Sequence, residues 1–196
     1  MTIVFWTMLG YICGALPFSV WLGRLALRED VRRYGDGNPG AANAWKAGGW
    51  PLGFSVLLLD FLKGAVPVAL AHFTVGIAGL GLVPVGLAPI LGHAFSPFLG
   101  FRGGKAITVT FGVWTGLLPP AGPIVLGALQ TALHFARLPR AWTPIIALCG
   151  LLIYLLIFAR EPAYLLIWLG NTAIVAWKFR RDLLPGHTGS QAASAR

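Results

Sequence analysis

The chain has 196 residues, of which 57% are hydrophobic and only 11% are charged. Soluble domains carry about 25% charged residues, so this composition excludes an ordinary soluble domain and predicts an integral membrane protein. The net charge of +9 would suit nucleic acid if it formed one basic patch. The basic residues are instead spread between apolar segments, so we expect no nucleic-acid partner.

Seven apolar segments follow one another along the chain, and each is interpreted as a membrane-spanning helix. A helix needs about 20 apolar residues to cross the hydrocarbon core, and several segments are shorter. Pro119-Pro120 separates two of them, because proline cannot continue a helix interior. The predicted fold is all-α and integral membrane, with about seven transmembrane helices at 3–25, 51–71, 76–93, 106–118, 120–136, 142–158 and 162–179.

The loops between these segments differ sharply in charge. Alternate loops fall on opposite sides of the membrane, and one set of loops holds all of the 15 Lys and Arg residues except Lys63 and Arg160. Basic loops stay in the cytoplasm, so we predict an external amino terminus and a cytoplasmic carboxyl terminus. Residues 1–184 are expected to form a single membrane-embedded domain, and residues 185–196 a disordered cytoplasmic tail.

The first polar loop, residues 32–46, concentrates glycine, asparagine and basic side chains. Glycine admits positive φ and lets other groups approach the main chain, and successive N–H groups in such turns form concave anion sites. The composition fits either a solvated turn cluster or an anion site. Its candidate residues are Arg32, Gly35, Asp36, Gly37, Asn38, Gly40, Asn43 and Lys46.

The second polar loop reads Phe-Arg-Gly-Gly-Lys over residues 101–105 and opens onto the segment at 106–118. Unpaired N–H groups and the helix dipole at a helix amino terminus favour a phosphate group. This loop is predicted on the same face as the first, which makes Arg102, Gly103, Gly104 and Lys105 candidates for the same site. His93 lies just upstream and fits either a packing residue or one that faces a polar cavity.

Asp60 and Lys63 place two charges inside the second apolar segment. Ionisable groups inside a membrane are costly and seldom unpaired, and the i, i+3 spacing puts these two on one helix face. They either form a charge-neutralising pair that orients helices or line a polar cavity beneath the loops.

Sequence motifs of covalent and metal chemistry are missing. There is no Gly-x-Ser-x-Gly elbow, no paired-cysteine cluster and no Walker loop, and the four histidines show no metal-ligand spacing. We therefore expect no metal and no cofactor. An enzyme with this sequence would need a substrate that is already activated.

Together these motifs resemble those of the bacterial membrane acyltransferases that use acyl phosphate to acylate glycerol 3-phosphate. Residues 35–46 read Gly-Asp-Gly-Asn-Pro-Gly-Ala-Ala-Asn-Ala-Trp-Lys and are similar to that family's Gly-Ser-Gly-Asn-x-Gly-Ala-Thr-Asn-x-x-Arg. Residues 60–64 look like its Asp-x-x-Lys-Gly, and residues 92–93 with 101–105 look like its Gly-His and Phe-Lys-Gly-Gly-Lys. The resemblance runs in order and at matching spacing over about residues 10–112.

Several positions depart from the family pattern. Asp36 replaces a serine, Lys46 replaces an arginine, and Phe179-Arg180-Arg181-Asp182 stands where the family has His-Arg-x-Asn. Asp36 would bring a negative charge to an anion site, where two like charges at ~4 Å repel by roughly 4 kcal/mol at an effective dielectric of 20. The departures leave open a weakened or inactive paralogue that binds lipid or joins a complex, or an enzyme with a changed acceptor.

The resemblance implies transfer of an acyl group from acyl phosphate to the 1-hydroxyl of glycerol 3-phosphate, which gives lysophosphatidic acid for phospholipid synthesis. It implies a multi-pass protein of the bacterial plasma membrane, surrounded by phospholipid, with its site at the cytoplasmic face. Gly103, Gly104 and Lys105 are assigned to the acyl phosphate, and Asn38, Asn43 and Lys46 to glycerol 3-phosphate, with Arg32 or Arg102 nearby. Asp36 is available as a base. A transporter, which requires broken helices that meet at mid-membrane, is a third class, but no internal repeat supports it.

Overall fold

The computed structural model describes residues 1–183, and over that range the chain forms only helices and turns. The expected tail at 185–196 lies outside the described residues. The α-helices are α1 (Thr2–Ala15), α2 (Phe18–Leu27), α3 (Ala41–Ala69), α4 (Leu82–Ala94), α5 (Ile107–Leu117), α6 (Ala121–Phe135), α7 (Thr143–Tyr154) and α8 (Pro162–Phe179). Short π-helical turns continue α3 over Leu70–Thr74 and α7 over Leu155–Ala159.

The outer surface of the bundle is strongly apolar. Leu25, Phe135 and Phe158 are each more than 70% exposed, and soluble monomers rarely leave large contiguous apolar patches in water. Among the described residues, three helical runs are long and apolar enough to cross a membrane: Thr2–Leu27, Ala41–Thr74 and Gly79–Leu99. The prediction of an all-helical chain with apolar helices is confirmed.

The predicted span at 3–25 corresponds to the apolar run Thr2–Leu27, but its helix breaks at Leu16-Pro17. Pro17 has no N–H group and disfavours helical geometry in the residue before it, so α1 ends at Ala15 and α2 begins at Phe18. The carbonyls freed by the break are used within the fold. The Ser96 hydroxyl donates to the Ala15 carbonyl over 2.6 Å, and the Lys63 amino group donates to the Leu16 carbonyl over 2.9 Å.

The second span begins earlier than predicted. Residues 41–46, expected in a loop, form the first turns of α3, because Gly40 provides an extended cap and the alanines that follow favour helix. The helix then kinks at Gly48 and Gly49, where φ at Gly49 is 67°. The predicted span at 51–71 corresponds to the part of α3 beyond this kink.

The remaining spans agree more closely with the structure. The helix expected from residue 76 begins at Leu82, after a short 3-10 turn at Gly79–Gly81. The segments predicted at 106–118, 120–136, 142–158 and 162–179 correspond to α5, α6, α7 with its π-helical extension, and α8. A turn at Pro119-Pro120 separates α5 from α6 as predicted.

Close glycine contacts determine which helices pair. A Cβ atom on Gly14 of α1 would collide with the main chain of Pro89 in α4, and one on Gly112 of α5 would collide with the Phe61 carbonyl in α3. Small residues allow apolar helices to approach this closely. The α1–α4 and α3–α5 pairs are therefore the most closely packed in the bundle, and α8 packs beside α4.

A buried polar chain fastens α5 to α8. The Trp114 indole donates to the Asn171 side-chain oxygen over 2.9 Å, and the Asn171 amide donates to the Thr110 hydroxyl over 2.9 Å. Asn171 and Trp114 are fully buried, where hydrogen-bonded polar groups specify how helices align. This chain sets the start of α5 and the end of α8 side by side, which is where the polar loops lie.

Candidate active site

The first polar loop folds around the carboxylate of Asp36. Two glycines, Gly35 and Gly37, take positive φ values of 58° and 74° and turn the chain back on itself. Asp36 Oδ1 then accepts from the Asn38 N–H over 3.1 Å and from Asn43 Nδ2 over 2.9 Å. Asn43 also donates to the Asn38 carbonyl over 2.9 Å. Two asparagines of the predicted site, Asn38 and Asn43, therefore surround the one anionic group of the loop.

Lys105 joins the two polar loops and the end of α8. Its amino group lies 2.7 Å from Asp36 Oδ2 and 2.8 Å from Asp182 Oδ2. The same ammonium lies 4.7 Å from the centroid of the buried Phe179 ring, a geometry that favours a cation. The loops that sequence reasoning assigned to one face thus meet at one lysine.

These contacts set the charge state of the cluster. Burial opposes ionisation of Asp36, but its bonds to Lys105, to the Asn38 main chain and to Asn43 outweigh burial and lower its pKa. Burial likewise opposes the charge on Lys105, but the two carboxylates outweigh it and raise the Lys105 pKa. At neutral pH the cluster therefore holds one cation between two anions.

The second polar loop packs tightly against the end of α4. A Cβ atom on Gly103 would collide with the His93 carbonyl, and one on Gly104 with the His93 ring. The Gly104 N–H donates to the His93 carbonyl over 3.0 Å. Both glycines are required by this close approach, and the Gly104 amide is already bonded within the fold.

Some main-chain donors of the two loops are already bonded within the fold, and further donors lie at two helix ends. In the first loop the N–H groups of Gly37 and Gly40 donate to the carbonyls of Tyr34 and Asn38. The first N–H groups of an α-helix lack partners inside the helix, and neither α3 nor α5 begins with a side-chain cap. The unpaired N–H groups at the amino termini of α3 and α5, together with nearby lysines, are therefore candidates for binding an anion.

The other predicted basic residues border this centre. Lys46, on the second turn of α3, is exposed, and its amino group lies beside Gly35, where a Cβ atom would approach it to 2.9 Å. Arg32 instead turns to Asp30, with Nη2 2.6 Å from Oδ2, and this bond lowers the Asp30 pKa. Arg102 is exposed on the second loop. The structure brings Lys46 to the centre and holds Arg32 in a separate pair.

Asp60 and Lys63 lie beneath the loops as a closed pair. Their charged atoms are 2.6 Å apart, and each side chain is only 4% exposed. His93 Nδ1 lies 3.9 Å from Asp60, beyond hydrogen-bond range. The three side chains line a narrow cleft that continues past Ser96 to Gly104, so both expected functions of the pair, holding helices and lining a polar cavity, match its position. Within residues 1–183, no group of three His, Cys, Asp or Glu side chains is placed to hold a metal ion.

Sequence reasoning missed three residues from the end of α8. Lys178 donates to the carbonyls of Ala94 and Gly103 over 2.9 and 2.7 Å and ties α8 to both neighbouring segments. Phe179 and Asp182 contact Lys105 directly. The signal in the sequence is the motif at 179–182, which departs from the family pattern at Phe179 and Asp182 and lies in a basic segment on the same predicted face as the loops.

Comparison with known proteins places this arrangement in one family. The family model for glycerol-3-phosphate acyltransferase matches residues 4–184. The chain is 37% identical over 187 residues to glycerol-3-phosphate acyltransferase 1 of Thermotoga maritima, covering 88% of this chain and 92% of that protein. It is 36% identical over 193 residues to the glycerol-3-phosphate acyltransferase of Pseudomonas syringae, covering 95% of this chain and 97% of that one.

Two solved structures share the fold. The chain superposes on a crystal structure of PlsY (YgiH), an integral membrane glycerol 3-phosphate acyltransferase, in its glycerol 3-phosphate form, with a TM-score of 0.86 and 27% identity over 93% of this chain and 90% of that one. The lysophosphatidic acid form of the same protein gives a TM-score of 0.84 at 26% identity, with the same coverage. The chain therefore has the integral membrane fold of that protein and belongs to the glycerol-3-phosphate acyltransferase family.

Proposed function

We propose that this chain transfers an acyl group from acyl phosphate to the 1-hydroxyl of glycerol 3-phosphate and releases lysophosphatidic acid and inorganic phosphate. It does so as a single membrane-embedded domain over residues 1–184. The observation that carries the proposal is the meeting of the two polar loops at Lys105, beside the amino termini of α3 and α5. Two helix ends and two lysines together favour two phosphate groups held side by side.

The donor half of the site is assigned to the second loop. Lys105 and the first N–H groups of α5 receive the phosphate of the acyl phosphate, while Gly103 and Gly104 shape the loop through their close contact with His93. Lys178, which holds the Gly103 carbonyl over 2.7 Å, keeps this loop against α4. We expect the acyl chain to lie against the apolar outer surface of the bundle.

The acceptor half of the site is assigned to the first loop. Lys46, Asn38, Asn43 and the first turn of α3 receive the phosphate of glycerol 3-phosphate. A lysine keeps the charge of the arginine in the resembling motif but loses its bidentate geometry. We therefore expect Lys46 to bind the acceptor phosphate as a single positive charge rather than through two parallel hydrogen bonds.

Asp36 lies between the two halves, with Oδ1 toward Asn43 and Oδ2 toward Lys105. We place the acceptor hydroxyl beside this carboxylate. The hydroxyl donates a hydrogen bond to the carboxylate, which orients the hydroxyl for attack. The lowered pKa of Asp36 makes the carboxylate a weak base. A phosphate group, with a second pKa of about 6, is the stronger base and finally carries the proton.

The chemical step needs no covalent enzyme intermediate. An acyl phosphate is a mixed anhydride, so the acceptor oxygen attacks the carbonyl carbon and the bond from that carbon to the phosphate oxygen breaks. The hydroxyl proton leaves on the departing phosphate. The protein supplies position, which is worth roughly 7–11 kcal/mol in well-oriented reactions, and cations and N–H groups that stabilise the developing charge.

The distribution of basic residues supports a site at the cytoplasmic face. Contacts through Lys105 and Lys178 bring the loops at 32–46 and 101–105 together with the end of α8, and these segments carry most of the basic residues. Basic segments stay on the cytoplasmic side. We therefore propose about seven crossings of the bacterial plasma membrane, with the amino terminus outside and the site at the inner face.

The experiment is acyl transfer by purified protein in nanodiscs, with acyl phosphate as donor. Glycerol 3-phosphate and glycerol serve as matched acceptors that differ only in the phosphate. We expect lysophosphatidic acid and inorganic phosphate in equal amounts from glycerol 3-phosphate, and little product from glycerol. No product from glycerol 3-phosphate would reject the assignment, and equal rates with both acceptors would show that the acceptor half grips no phosphate.

A further inference from the structure

Lys105 is held by two carboxylates from different parts of the chain. Asp36 comes from the first loop and Asp182 from the turn after α8, at 2.7 and 2.8 Å from the lysine amino group. The resembling family motif has uncharged serine and asparagine at these two positions. Both departures in this chain therefore place a carboxylate beside Lys105, the proposed phosphate ligand.

The two carboxylates are fastened very differently. Asp36 is also bonded to the Asn38 main chain and to Asn43, and its side chain is 30% exposed. Asp182 is 41% exposed, and among residues 1–183 its side chain pairs with Lys105 alone. Asp182 can therefore leave Lys105 at much lower cost than Asp36 can.

The turn after α8 is anchored by the buried Phe179, whereas the Asp182 side chain is partly exposed. Phe179 is buried against Lys105, and the Asp182 N–H donates to the Phe179 carbonyl over 2.8 Å. Rotation of the Asp182 side chain would free the amino group while Phe179 keeps its place. A phosphate and Asp182 cannot share the lysine readily, because like charges in contact repel strongly.

We infer that Asp182 is an exchangeable internal anion that competes with substrate phosphate for Lys105. This inference rests on the proposed function in taking Lys105 as a phosphate ligand. Asp182 lowers the affinity of Lys105 for a phosphate group and, by returning to the lysine, speeds release of inorganic phosphate. It thereby sets affinity and product release without touching the reacting atoms.

The test is equilibrium binding of radiolabelled inorganic phosphate to the full chain in phosphatidylcholine nanodiscs. We expect Asp182→Asn to bind phosphate about two- to fivefold more tightly than the unmodified protein, the range that a partly exposed ion pair allows. Asp182→Glu keeps the charge and should bind like the unmodified protein. Glu29→Gln is the matched control, because it removes an exposed carboxylate that bonds Tyr34 instead of Lys105.

The sign of the change separates competition from a purely structural role. If Asp182 only held the loop in shape, Asp182→Asn would bind phosphate more weakly, and that result or an unchanged affinity would overturn the inference. So would a gain that survives in the Lys105→Ala, Asp182→Asn double variant, or one that Glu29→Gln reproduces. Binding is measured without turnover, so its outcome is independent of whether the acyl-transfer assay succeeds.

Discussion

Two ion-pair clusters lie near the same end of the molecule, and they differ in how firmly they are closed. Asp60 and Lys63 are each 4% exposed, and Lys63 also holds the Leu16 carbonyl at the break between α1 and α2. Lys105 is 20% exposed between carboxylates that are 30% and 41% exposed. The closed pair, Asp60 and Lys63, stabilises the fold. The open cluster, Lys105 with Asp36 and Asp182, leaves a cation accessible to a ligand.

This difference predicts where mutations act. Removing one partner of a buried ion pair strands the other charge and costs about 3–5 kcal/mol. Partly exposed pairs contribute roughly 0–1 kcal/mol to stability. Damage to the closed pair should therefore lower stability, while damage to the open cluster should change binding and turnover with little effect on stability.

The largest stability effect is expected at Asp60. Asp60→Ala leaves Lys63 buried without its counter-charge and should lower the free energy of unfolding by about 3–5 kcal/mol, measured by denaturant unfolding in detergent. The double variant Asp60→Leu, Lys63→Met removes both charges and should lose less, although the Leu16 carbonyl then lacks its donor. A single variant as stable as the unmodified protein would contradict the commitment of this pair to the fold.

A smaller effect, confined to one substrate, is expected at Lys46. Lys46→Ala should raise KM for glycerol 3-phosphate about tenfold, because it removes a charge-assisted hydrogen bond, and should leave KM for acyl phosphate unchanged. Lys46→Arg should keep or lower KM for glycerol 3-phosphate, since the guanidinium can bind phosphate through two bonds. A change in KM for acyl phosphate alone would reverse the assignment of the two halves.

The sequence predicted the Asp60–Lys63 pair and the two loops of the open cluster, but not the contacts that join them to distant segments. The glycines and lysines of residues 35–46 and 101–105 have local signatures of anion sites, and alternation of basic loops put them on one side. The sequence did not predict the hydrogen bond from Lys63 to the Leu16 carbonyl, because no sequence pattern links residues 47 positions apart. Local hydrophobicity also did not predict that Pro17 would break the helix within the first apolar segment.

Other features of the site also depend on tertiary contacts that local sequence patterns do not predict. The glycine amides expected to bind phosphate are partly consumed by the fold, as Gly104 shows with the His93 carbonyl. Asp182 and Lys178 reach the site because α8 packs beside α4 and the Asn171 side chain bonds to α5. Such tertiary contacts depend on which helices pair, and glycine-lined approaches between distant segments decide the pairing.

The smallest effect concerns pH. The lowered pKa of Asp36 means that its ion pair stabilises the fold fully above its ordinary value of 3.8 and that this stability is lost as pH falls through the lower folded value. The raised pKa of Lys105 keeps its half of the pair charged up to and beyond pH 10.5. The difference in unfolding temperature between the unmodified protein and Asp36→Asn should be small, equivalent to at most about 1 kcal/mol.

That difference should stay constant between pH 5 and 9 and shrink toward zero as pH falls to 2. Glu161→Gln, which alters a carboxylate at the opposite end of α8, serves as the control and should show no such trend. A difference that grows on acidification would mean that Asp36 is not held as a carboxylate by Lys105.

The central claim is that Lys105 is kept for phosphate rather than for the fold, and turnover of Lys105→Ala measured together with its unfolding temperature tests this most directly. We predict a loss of about 10²–10³-fold in acyl transfer to glycerol 3-phosphate, the range found when one preorganised charge-stabilising group is removed, with the unfolding temperature nearly unchanged. Undiminished turnover, or a loss explained wholly by unfolding, would contradict the account.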